Sequence, residues 1–362
     1  MSTVDPLQLA RTPADPSQRS PVEVTSGKSI KAWAILGLFF VVLQSYVYLS
    51  WVTGPDFKRT DPGADVVPTI VKGWAWFVQI ATLIAIAMAI VWVVRQSLRE
   101  RRLTFDGMLL IAWMTVAWQD PILNYIRPTF FYNAYLISYG SWVESIPGWI
   151  SPNGGNLASP LFMSGFGYLS CMLFSIGVCS LMRLAKRRIP SIGLFGLIAV
   201  ALSAGFFMDL LYEVFMVRTS LYAYSGAVQW ISLWGGERYQ FPLYESLFWG
   251  AVWGASGALR YFRDDKGRSV VERGADSLAV TERTRTVIRT LAIIGFLNLV
   301  YVGFNICINF AALMIDQTPT GYPTYLRTGL CGEGTDYACP GPEVPIPMAP
   351  GAVNQPEPET TG

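Results

Sequence analysis

Four carboxylates interrupt otherwise apolar sequence: Asp120, Asp209, Glu213 and Glu245. Ionisable groups in such surroundings are costly and mark a functional site by default. Two carboxylates in different environments divide acid and base roles, because burial favours the neutral form of one while a neighbouring cation favours the charged form of another. Histidine is absent from the chain. That removes imidazole bases, Ser-His and Cys-His nucleophile pairs and most zinc sites. Proton transfer therefore falls to carboxylates, tyrosines, Lys or Arg, amides or thiols. The chain carries no glycine-rich phosphate loop and no Asp-rich diphosphate motif, so neither a nucleotide nor a metal cofactor is expected.

The elements that must hold these acids are long apolar runs. Hydrophobic residues make up 52% of the chain and charged residues 14%, where a soluble domain carries about a quarter charged. A net charge of +2 gives no basic surface for a nucleic-acid partner. Runs near the ~20 residues needed to cross a bilayer fall at about 32–53, 70–94, 105–126, 160–183, 190–217, 241–262 and 289–315. The expected fold is an all-α bundle of about seven transmembrane helices, from 31 to 316. Residues 1–30 read as a disordered cytoplasmic tail, and 317–362 as an extracytoplasmic tail whose Pro-rich end begins near Pro340.

Arginine and lysine set the orientation. Arg95, Arg99, Arg101 and Arg102 follow the second span, Arg183, Lys186, Arg187 and Arg188 the fourth, and Arg260 to Arg289 the sixth. Seven spans put these loops on one side with Lys28 and Lys31, so the N-terminus is expected in the cytoplasm of a cell-membrane protein and the C-terminus outside. Cys331 and Cys339 then lie where thiols oxidise, and a disulfide between them is plausible beside the alternative of two free thiols. Cys171, Cys179 and Cys307 sit inside spans and read as packing residues.

This topology brings the four acids to one level near the outer face. Asp209 and Glu213 are four apart and share a helix face. Asn298, Asn305 and Asn309 form a polar stripe on the seventh span. Pro121 is expected to kink the third span just after Asp120. Asn124, Tyr125, Arg127, Trp118, Tyr212, Arg218 and Tyr244 join Asn305 and Asn309 as candidate binding residues around that level. The plainer alternative stays open, in which carboxylates at span ends snorkel to water and the aromatics form an interfacial belt. The aromatic, Gly- and Pro-punctuated stretch from Arg127 to Pro160 is too long for an idle linker and is expected to be an ordered extracytoplasmic cap.

Trp118-Gln-Asp-Pro-Ile-Leu-Asn-Tyr-Ile-Arg-Pro128, with Tyr132-Asn133, Gly140-Ser-Trp142 and Ile146-Pro-Gly-Trp149 after it, resembles the AveC family of actinobacterial membrane proteins. The resemblance covers about 30–315 and leaves out both tails. It implies a spirocyclase: a membrane enzyme of polyketide biosynthesis that closes a lipophilic hydroxy-ketone into a spiroketal, as a dehydratase if water is lost. The motif positions that transfer are Asp120, Asn124, Tyr125 and Arg127. A weaker pattern, Pro242-Leu-Tyr-Glu245, is similar to the acid motif of membrane lycopene cyclases, with one of the paired acids replaced by Tyr244. The rival reading is a transporter or lipid-binding protein using the same polar level. Transport sites tend to lie at the midplane on broken helices, and in the sequence only Pro121 interrupts a span near the acids.

Overall fold

The computed structural model describes residues 28–316, 318–332 and 335–339. The expected tails from 1 to 27 and from Pro340 onward lie outside the described residues. Lys28–Ile30, assigned to the tail from sequence, instead open the first helix.

The chain is mostly helical. α1 is Lys28–Val52, α2 Thr69–Glu100, α3 Phe105–Met114, α4 Cys171–Arg188, α5 Leu194–Arg218, α6 Leu243–Tyr261, α7 Glu282–Ala312 and α8 Thr324–Arg327. Among the described residues, five helical stretches are long and apolar enough to cross a membrane: α1, α2, Leu161–Arg188 (which ends in α4), α5 and α7. α6 is helical over the expected range but lies inside, against α4, α5 and α7. Its polar residues Glu245, Ser246, Ser256 and Arg260 are all buried.

The expected third span is not one helix. α3 stops at Met114, and a tighter three-residue-per-turn segment runs Ala117–Asn124. Pro121 lacks an N–H and its ring collides with the carbonyl four residues back, so an α-helix cannot run through Ala117; a 3₁₀ turn tolerates it. The break therefore begins ahead of Asp120, not after it.

Helix directions follow from side-chain contacts. Trp113 on α3 donates to Ser175 on α4 (2.9 Å), Ser175 bonds Ser256 on α6 (2.8 Å), and Arg260 near the end of α6 reaches back to Asp106 at the start of α3. α3 thus runs opposite to α4 and α6, and the arginine-rich segments after α2, α4 and α6 share one end of the bundle. At the other end, β1 (Phe130–Tyr132) pairs antiparallel with β2 (Tyr222–Tyr224), and β3 (Ser232–Leu233) with β4 (Phe241–Pro242). The stretch between β1 and Pro160 is folded. Trp142 is 2% exposed, packs on Tyr48 and Trp51, and donates its indole N–H to the Trp118 carbonyl at 2.7 Å. Beyond α7, Cys331 and Cys339 are disulfide-bonded with Cα atoms 4.9 Å apart.

Candidate functional site

Small residues let α5 and α6 approach backbone to backbone. A Cβ placed on Gly205 would lie 1.9 Å from the Gly250 carbonyl oxygen, and one on Gly254 would lie 3.0 Å from that of Ala201. Such small-residue seams are how helices pack closely in a membrane. Because the helices run antiparallel, the turn after Gly205 meets the turn before Gly250. Asp209 and Glu213 on α5 thereby face Glu245 on α6. One carboxylate oxygen from each lies within 4.8 Å of the others, and all three residues are buried.

Glu213 Oε2 accepts from the Tyr224 hydroxyl at 2.7 Å. Both oxygens of Asp209 and one of Glu245 have no hydrogen-bond partner. Among the described residues no Lys or Arg forms an ion pair with any of the three. Tyr224 is itself held in place: its carbonyl accepts from Gln240 (2.9 Å) and from the Tyr322 hydroxyl (3.0 Å). Burial pushes the Tyr322 hydroxyl above its ordinary value, which keeps it a neutral donor.

A second acidic pole lines the same cavity as Glu213 and Glu245 of this trio. Asp120, delivered by the 3₁₀ segment, accepts through Oδ1 from Tyr168 (2.6 Å) and Tyr132 (3.2 Å). The Tyr168 hydroxyl also bonds that of Tyr301 on α7. Asp120 Oδ2 is buried and unpaired. Both poles open on one cavity of about 550 Å³, lined by Asp120, Glu213 and Glu245, by tyrosines 132, 168, 212, 222, 224 and 301, and by Trp249 and Trp253. Asp209 does not line it and sits behind the other two acids.

The structure divides the sequence candidates. It brings Asp120, Glu213, Glu245 and Tyr212 to the cavity, with Asp209 directly behind. It places Trp118, Asn124, Tyr125, Arg127, Arg218, Tyr244, Asn305 and Asn309 away from the lining. Asn124 accepts from the backbone N–H groups of Thr129 (2.8 Å) and Phe130 (2.9 Å). Asn305 and Asn309 donate to the carbonyls of Gln119 (3.3 Å) and Ile122 (2.9 Å). Trp118 donates to Asn298, and Tyr125 to the Gly148 carbonyl. Arg218 lies over the rings of Trp234 and Tyr239. Tyr244 packs against Phe248, and Arg127 is buried at 2% exposure outside the cavity.

Sequence reasoning passed over Tyr168 and Tyr301. Both sit in apolar spans, where a phenol hydroxyl must find a partner, and that was the available signal. It also passed over Asp106. Arg260, counted there among the loop cations, is buried against Asp106 through two bonds of 2.9 Å.

Three carboxylates without imidazole or thiol suit a hard, oxygen-seeking cation better than zinc. The same set can equally hold protons. Carboxylates and phenols around a largely apolar space are the groups a proton-driven ring closure needs, and the comparison with known families points the same way. Searches of curated proteins and of solved structures find no match. The family model described as "Spirocyclase AveC-like" matches residues 100–328, from the last residue of α2 to just past α8. That is well over half the chain and includes every carboxylate of the cavity: the protein belongs to the AveC-like spirocyclase family.

Proposed function

We propose that the protein is a membrane-embedded, cofactor-independent cyclase that converts a lipophilic dihydroxy-ketone to a spiroketal with loss of water. The observation that carries this reading is that two acidic poles line one mainly apolar cavity. In the reaction, one hydroxyl adds to the ketone carbon to give a hemiketal. The hemiketal hydroxyl is protonated and leaves as water, and the second hydroxyl attacks the resulting oxocarbenium ion and gives up its proton. One proton is lent and one returned, so the chain ends as it began.

Three carboxyls this close, with no cation paired to them, keep at least one proton among them, since like charges at such spacing do not coexist. Glu245, which lines the cavity and has one oxygen without a partner, donates that proton to the leaving hydroxyl, and Asp209 and Glu213 support it. Asp120 accepts from the attacking hydroxyl, its position set by Tyr132 and Tyr168. The faces of Trp249 and Trp253 stabilise the cation between the poles. Positioned proton transfer is worth roughly 10²–10⁴-fold in rate.

The topology that fits this reading has seven crossings: the five long apolar stretches, α6, and α3 with its 3₁₀ continuation. The N-terminus is cytoplasmic, and the folded segment before Pro160 caps the outer end. The shared position of the arginine-rich segments supports it.

The test is turnover in lipid nanodiscs of a long-chain dihydroxy-ketone, followed by mass spectrometry. The protein should yield a product lighter by the mass of water, and Glu245→Gln and Asp120→Asn should each lose at least about a hundredfold. Both variants at full rate would remove the carboxylates from the chemistry. Dialysis against a chelator should leave turnover unchanged. A loss restored by Mg²⁺ or Mn²⁺ would mean that the three acids hold a cation, and a bound compound with no product would favour a binding or transport protein.

A further inference from the structure

The cavity is not sealed inside the bundle. Phe77 on α2 lines it and is also 55% exposed on the outer surface of the helix. Ala81, one turn on, lines it and is exposed as well, and Thr82 and Ala85 follow along the same edge. Facing them are half-buried residues of the neighbouring helices: Phe174 on α4, and Met208 and Phe215 on α5. The three helical stretches around this mouth are all long and apolar enough to cross a membrane. Between Lys72 and Arg95 α2 carries no charge, so the mouth sits within the run that matches the ~30 Å hydrocarbon layer. No charged side chain stands at the rim, whereas the buried part of the lining carries Glu213, Glu245 and Asp120.

We infer that this mouth is a lateral portal, through which an amphipathic ligand enters from the bilayer, oxygenated end first, leaving its apolar chain between α2 and α5. The inference rests on the membrane-embedded reading above, and it adds a route and a ligand shape: an apolar tail and an oxygenated head that reaches the acids. A water-soluble substrate of the same head chemistry has no polar path along this rim. Trp74 packs edge-on against Phe215 with ring centroids 5.4 Å apart and closes α2 against α5 on one side of the opening. Beyond it, the small side chains of Ala81 and Ala85 leave the gap.

The experiment uses the full-length protein in phosphatidylcholine nanodiscs and a long-chain hydroxy-ketone carrying an alkyl diazirine. After irradiation, labelled peptides are mapped by mass spectrometry. The unmodified protein should carry label on the peptides containing Glu213 and Glu245. Ala81→Trp combined with Ala85→Trp should lose that label, while Leu83→Trp, on the lipid-facing side of the same helix, should keep it. Ala81→Cys, folded first and then capped with a benzyl thiosulfonate, closes the mouth without asking a bulky variant to fold; it too should lose the label, against an identically treated unmodified protein. Cavity labelling that survives both closures, or that never occurs in the unmodified protein, overturns the portal. Labelling reads access alone, so an open portal without turnover counts against the cyclase and leaves the portal standing.

Discussion

Tyr168 holds the proposed base in place, donating to Asp120 at 2.6 Å while sharing a hydrogen bond with Tyr301. A hydrogen bond to a charged group is worth about 1.5–3 kcal/mol. Tyr168→Phe should therefore slow turnover by roughly ten- to a hundredfold with the near-ultraviolet circular dichroism unchanged; an unaltered rate would make the phenol a packing residue. At this scale the acids were legible in the sequence because charge inside an apolar run is expensive. Tyr168 and Tyr301 were not, because a Tyr in a span belongs as often to an interfacial belt. The amides were visible as polar, but their direction was not. Backbone groups freed by the broken third span need partners in the apolar interior. Asn305 and Asn309 serve that need at the carbonyls of Gln119 and Ile122. Asn309→Leu should cost about 1–3 kcal/mol in stability, read as a lower melting temperature.

Among the elements, the α5–α6 crossing decides whether the acids meet. A Cβ on Gly205 would overlap the Gly250 carbonyl, so any larger side chain there must drive the helices apart and draw Asp209 away from Glu245. Gly205→Leu should abolish turnover and lower the melting temperature. Gly303→Leu, on α7 with nothing within 4 Å of its added carbon, should leave both unchanged. Equal effects from the two would mean that close approach at Gly205 is not what assembles the trio. The long helices were readable from hydropathy, and α6 from its apolar run, but not that α6 would lie inside with its polar residues turned to its neighbours. Pro121 announced a break in the third span. Where the break began could not be read, because the collision of a proline falls on the carbonyl four residues earlier.

For the whole molecule, the two ends of the bundle are tied separately. At the arginine-rich end Asp106 and Arg260 form a buried pair, with the indole of Trp92 and the thiol of Cys179 beside them. Removing one partner strands the other charge, so Asp106→Ala should destabilise by about 3–5 kcal/mol, and Asp106→Leu with Arg260→Met should recover most of it. Thermal unfolding in detergent compares the two, and a single variant as stable as the double would contradict this role. At the other end the segment beyond α7 is held to the α1–α2 connection by contacts between residues far apart in sequence, such as Thr324 N–H with Asp65 (2.7 Å). Periodicity carries no trace of these. The proposed chemistry belongs to neither end but to the cavity between them. Its most direct test is turnover of a dihydroxy-ketone labelled with ¹⁸O at both hydroxyls. Dehydrative spiroketal formation at the carboxylates predicts a product that keeps both labels, loses unlabelled water, and fails to form with Glu245→Gln. Loss of a label, or a product that forms equally well with that variant, would contradict it.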